Sequence, residues 1–128
     1  MEEKFAVPVK SYRDLRVWKA AIELAVDCYS ATKNFPASET YGMTSQLRRS
    51  SASIAANIAE GYGREHRNSF VQFLRIARGS LRETETHVIL CGRVGLFVDT
   101  DVVRLLGQSD ELGKMLHALI RNLQQQNR

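Results

Sequence analysis

Between residues 70 and 91, Phe70, Leu74, Ala77, Leu81, Thr84, Val88 and Cys91 recur at alternating steps of four and three. A heptad seam held over three repeats commits a segment to one long amphipathic helix whose stripe must be covered by other helices. The rest of the chain obeys the same spacing. Leu15, Trp18, Ile22, Ala25 and Tyr29 mark a first helix, expected over about 12–33, with Ser11 and Asp14 as its capping box. Pro36 ends it after Asn34-Phe35. Met43, Leu47, Ser50, Ile54, Asn57 and Gly61 mark a second helix over about 39–61, with Glu39 in its first turn. The third is expected over 69–94 behind an Asn68 or Ser69 cap. A fourth, over 100–125, carries Val102, Leu105, Ser109, Leu112, Leu116, Leu119 and Leu123 behind Asp99 or Thr100, and its QQQNR tail is expected to fray.

No run alternates with period two, and the connections are short. Four long helices joined in this way predict an all-α, antiparallel up-down four-helix bundle occupying residues 11–126 as a single domain. Residues 1–10 are expected to form a disordered or extended arm. A chain of 128 residues can bury a core without disulfides or metal. Cys28 and Cys91 sit in apolar helical patterns and read as reduced core thiols. With no signal-peptide pattern and no apolar run of about 18–20 residues, the expected location is cytoplasmic, away from membranes.

The charge is concentrated. Residues 40–95 hold eight basic and four acidic groups, whereas both flanks are balanced, so the whole excess of +4 sits there. Thirteen of the eighteen basic residues are arginine, the side chain best shaped for carboxylate and phosphate. Arg75, Arg78 and Arg82 form one ridge on the third helix, with Arg64 and Arg67 just before it and Arg48 on the second. These six are the candidate contacts for RNA, DNA or another anionic partner.

The stretch RRSSASIAANIAEG, residues 48–61, has ten uncharged positions between Arg49 and Glu60. Ala52, Ser53, Ala56 and Ala59 lie opposite its core face, where an isolated bundle would show charge. They are therefore the expected packing surface for another subunit. No His, Lys or Asp stands at a spacing that would activate Ser50, Ser51 or Ser53. If the hairpin turns near Arg64, Gly79-Ser80 comes level with Arg49-Ser50. Arg49 and Glu83 stand at similar heights on neighbouring antiparallel helices, as do Gln46 and Arg82, which predicts a structural polar network of Gln46, Arg49, Asn57, Glu60, Ser80 and Glu83, with Glu60 a candidate cap for the third helix. The di-metal bundle pattern of paired Glu-x-x-His motifs is absent, as are P-loop and dinucleotide fingerprints. No catalytic residue, cofactor or metal is expected.

The runs SYRDLRVW, NFPASETYG, QLRRSSASIAANIAEG and FLRIARGSLRETE, in this order, resemble the four-helix-bundle family typified by the 23S rRNA intervening-sequence protein. The resemblance spans residues 11 to about 98. It implies a cytoplasmic bundle assembling into a ring-shaped homopentamer, whose five copies would sum to roughly +20. It further implies a non-enzymatic scaffold or adaptor with a basic surface, a candidate partner for RNA, DNA or a nucleoprotein. The alternative is a protein-binding module whose arginines grip an acidic protein. His87 stands where the family pattern calls for an apolar or neutral residue, and the fourth helix carries little of the signature.

Overall fold

Each helical segment begins and ends where local chemistry permits. A computed structural model describes residues 11–126; the expected N-terminal arm and the last two residues lie outside them. Ser11 caps a 3-10 turn, Tyr12–Asp14, its hydroxyl accepting the Arg13 N–H at 3.1 Å. The first α-helix, α1, is Arg16–Thr32. A second 3-10 turn, Ala37–Glu39, precedes α2, Met43–Gly63. The expected start of α2 near residue 39 is thus corrected. Pro36 and the following turn hold the chain off the helix axis, and Glu39 acts from outside, its carboxylate accepting the Met43 N–H at 3.0 Å. That carboxylate satisfies one of the donors that every helix start leaves open.

The turn after α2 puts Glu65 in the left-handed region, at φ 57°. Helix α3 then runs Arg67–Arg93 with His66, rather than Asn68 or Ser69, at the N-cap position, so it starts two residues before the expected Ser69. Its end is a glycine cap. Gly95, at φ 85°, lets the Leu96 N–H reach back to the Cys91 carbonyl at 2.8 Å. Helix α4, Asp99–Gln126, carries Asp99 and Asp101 in its first turn, where the helix dipole favours negative charge. Asp99 and Thr100 are inside the helix, and the Val98 carbonyl accepts its first N–H groups.

All four helices feed one core. Every position of the α3 seam, Phe70 through Cys91, is fully buried, and Leu47, Ile54 and Ile58 of α2 meet it together with Leu105, Leu112 and Leu116 of α4. Helix α1 packs on α2 and α4, and α3 packs on α2 and α4. Thus the molecule is all-α with four helices, and the described residues contain no strand.

Helix α1 departs from its expected face. Its buried stripe is Val17, Ala21, Leu24, Ala25 and Cys28, while Ile22 and Tyr29, expected in the core, stand 37% and 45% exposed. The helix is apolar over more than one arc, so periodicity alone did not choose the side that α2 and α4 cover.

Candidate nucleic-acid interface

Helix α3 meets α2 on one side and α4 on the other, and the two junctions differ in chemistry. On the α2 side Ser53 and Ser80 hydroxyls pair at 2.9 Å, and Thr84 Oγ1 lies 2.9 Å from Ser50 Oγ. Asn57 Nδ2 donates to the Ser53 carbonyl at 2.8 Å and to its hydroxyl at 3.0 Å. Residue numbers rise along α2 as they fall along α3. Ser50 therefore faces Thr84, one helical turn beyond the expected Gly79-Ser80, because α2 continues through Gly61 to Gly63 before the chain reverses. Asn57, Ser53 and Ser80 form one polar network; Gln46, Arg49, Glu60 and Glu83 do not join it. Glu60 pairs with Arg64 at 3.0 Å. Glu83 lies 3.5 Å from His87 Nε2, and among the described residues Arg49 has no ion pair inside the subunit.

The six candidate arginines separate into two groups. Arg48 is held to the end of α1, its Nε donating to Thr32 Oγ1 at 2.9 Å and its guanidinium lying 4.6 Å over the Tyr29 ring. Arg64 sits 5.0 Å over Phe73 and is tied to Glu60, and Arg67 opens α3. Arg64 and Arg67 lie at helix ends, whereas Arg48 sits in the second turn of α2 and is bound to the end of α1. Arg75, Arg78 and Arg82 instead line a groove of about 690 Å³ between α3 and α4, with Gly79 among them.

The opposite wall of that groove is Asp110, Gly113, Lys114 and His117 of α4. Sequence reasoning missed these residues. The signal was the placing of Asp110, Gly113, Lys114 and His117 on one face of the fourth helix, but only the α3–α4 register brings that face to the arginines. Arg82 reaches across the groove. A Cβ added at Gly113 would stand 3.8 Å from its Nη1, an ordinary van der Waals contact that places the guanidinium against α4. Arg82 also pairs with Glu85 at 3.0 Å, and Lys114 lies 3.5 Å from Glu111. Among the described residues Arg75 and Arg78 have no carboxylate partner in the subunit. Four permanent cations thus line the groove with a single carboxylate, Asp110, and such a concave cluster concentrates positive potential.

The small-residue face of α2 divides as well. Ala52 and Ala56 are exposed, Ala59 is half-buried, and Ser53 turns toward α3. Beside it, Ala52 shares a shallow groove with Tyr29, and Ile22 and Val26, 37% and 56% exposed, continue the Tyr29 stripe along α1.

Groups with the elements of other chemistry are placed where they are quiet. Burial pushes the Cys28 and Cys91 thiols up to about 11, so both are neutral packing groups near pH 7. Ser50 and Ser51 are buried, their hydroxyls bonding to the backbone carbonyls of Leu47 and Arg48. Among the described residues no three His, Cys, Asp or Glu side chains gather as a metal site would require, and no helix is long and apolar enough to cross a membrane.

Comparison with known proteins bears on this arrangement. A solved structure of a protein of unknown function from the S23 ribosomal protein family of Bacteroides thetaiotaomicron superposes with a TM-score of 0.73 at 29% identity, covering 81% of this chain and 97% of that one. No curated protein matches. The family model of the 23S rRNA-intervening sequence protein matches residues 13–118, a span that takes in all of α1, α2 and α3 and both walls of the basic groove. On that match the chain belongs to the 23S rRNA-intervening sequence protein family.

Proposed function

We propose that this protein is a non-enzymatic, cytoplasmic scaffold, an antiparallel up-down bundle assembled into a homopentamer, that associates with RNA or DNA through α3. The observation that carries the reading is the α3–α4 groove. Arg82 is paired with Glu85, but among the described residues Arg75 and Arg78 have no carboxylate partner and none of the three belongs to the core, and charges without a structural task are best explained by an anionic ligand. Attraction to phosphates is electrostatic and largely independent of sequence. Assembly multiplies it, because each added subunit brings its own excess of +4. The family name, which refers to an insertion in ribosomal RNA, is consistent with a nucleic-acid context.

The self-association part rests on the exposed Ile22, Val26 and Tyr29 beside Ala52 and Ala56. An apolar strip continuous over two helices is characteristic of a protein contact. Replacing Ala56 by Glu places a charge in that strip and is expected to lower the mass measured in solution. An unchanged mass would remove this face from the interface.

Binding is tested by titrating labelled mixed-sequence RNA at several salt concentrations. Arg75→Glu combined with Arg78→Glu is expected to abolish binding, and the wild-type affinity to fall steeply with salt. Absence of binding at low salt overturns the nucleic-acid reading and leaves an acidic protein as the partner class for the same arginines.

A further inference from the structure

The groove is more specific than a basic surface, because an open glycine lies between its cations; Gly107 of α4 is equally open but does not line the groove. Gly79 lies in the interior of α3, where glycine costs about 0.8–1.0 kcal/mol relative to alanine. The packing of the chain does not demand that cost. A Cβ built at Gly79 meets nothing within 4 Å, whereas one at Gly61 would stand 2.5 Å from the Phe73 Cβ. The space over Gly79 opens into the groove, bounded by Arg75, Arg78 and Arg82 on one wall and by Lys114 and His117 on the other.

Building on the nucleic-acid reading above, we infer that the α3–α4 groove holds the extended sugar–phosphate backbone of a single strand, lying over Gly79 between Arg78 and Lys114 with its bases turned to solvent. Arg75 and Arg82 are seven residues apart, about 10 Å along the helix, a length on the scale of a few nucleotides. No Phe, Tyr or Trp lines the groove, so it offers no platform on which bases would stack. Recognition then falls on phosphates and is indifferent to base identity. The groove is concave, with Gly79 and Gly113 between its charged walls, and one strand can reach that floor. A duplex presents a convex surface and would touch the rim residues only. Asp110 stands among the cations and opposes the phosphates, which sets the sign of its substitution.

The test is fluorescence anisotropy with a labelled mixed-sequence single strand at low salt, using the full chain. Gly79→Leu fills the groove without altering charge and is expected to weaken binding by about tenfold or more, while the mass in solution and the melting temperature do not fall. Asp110→Asn should tighten binding by about two- to threefold, and Glu23→Gln, the same charge change on α1 away from the groove, by less. Lys114→Gln should reduce the slope of log affinity against log salt by about 0.7. A strand lacking bases should bind within about threefold of the intact one, and inorganic polyphosphate should compete. If Gly79→Leu binds like wild type while the Arg75→Glu, Arg78→Glu protein does not, the groove is not the seat, although the basic-surface reading stands. A duplex bound about tenfold more tightly than the strand overturns the single-strand assignment. Failure of the wild-type protein to bind either form overturns both readings.

Discussion

The two sides of α3 show how differently one helix can meet its neighbours. Toward α2 it is close-packed and neutral: hydroxyls pair at 2.9 Å between Ser53 and Ser80 and between Ser50 and Thr84, and Gly61 comes against Phe73 with no room for a methyl group. Toward α4 it is open and charged, and Gly79 has space around it. Small residues on the first side are there because backbones approach; the glycine on the second side has no packing neighbour that requires it. Residue type alone does not separate these roles.

Substitutions at the two glycines should therefore differ in sign. Gly61→Val forces a branched side chain into Phe73 and is expected to lower unfolding stability by about 1–3 kcal/mol, read from the urea midpoint. A midpoint equal to wild type would mean that α2 and α3 separate readily, and the contrast would collapse. Next in size, Thr84→Val removes a buried hydroxyl that bonds to Ser50 and should cost about 0.5–1.5 kcal/mol by the same measurement. The opposite sign is expected for Gly79→Ala, which restores helix propensity at a position without steric limit and should stabilise by about 0.8–1.0 kcal/mol. Destabilisation there would show that the open side is packed after all. Smallest of all, Arg75→Gln with Arg78→Gln should change stability by less than about 0.5 kcal/mol, since neither side chain has an ion-pair partner among the described residues. A larger loss would turn the ridge from a binding feature into a structural one.

Much of the fold was legible. The heptad seam of α3 was read residue by residue and every member is buried, because a strict repeat leaves one solution for which stripe faces inward. Helix α1 was read only in part for the opposite reason: Leu15 and Ala25 are buried and Trp18 packs on the core, but Ile22 and Tyr29 are exposed where Ala21, Leu24 and Cys28 face inward, and hydropathy does not rank two apolar stripes. Helix boundaries moved where a carboxylate or carbonyl acted from outside the helix, as Glu39 does at α2 and the Val98 carbonyl at α4. Of the candidate site, the Arg75, Arg78 and Arg82 ridge followed from spacing on one helix. Its α4 wall did not, since Asp110, Gly113, Lys114 and His117 are separated from it by a turn whose length sets the register.

The sequence by itself determined that this chain forms four helices around one apolar seam and that its excess charge lies in the middle of the chain. Both are properties of spacing along a single segment, and helical geometry converts such spacing directly into faces. Only the tertiary structure decided which apolar stripe of α1 is covered, that Ser50 faces Thr84, and that Lys114 and His117 complete a groove with the α3 arginines. Those outcomes depend on the relative height and rotation of neighbouring helices. Turn geometry and the fit of small residues set them, with Glu65 in the left-handed region at one hairpin and Gly95 at the other.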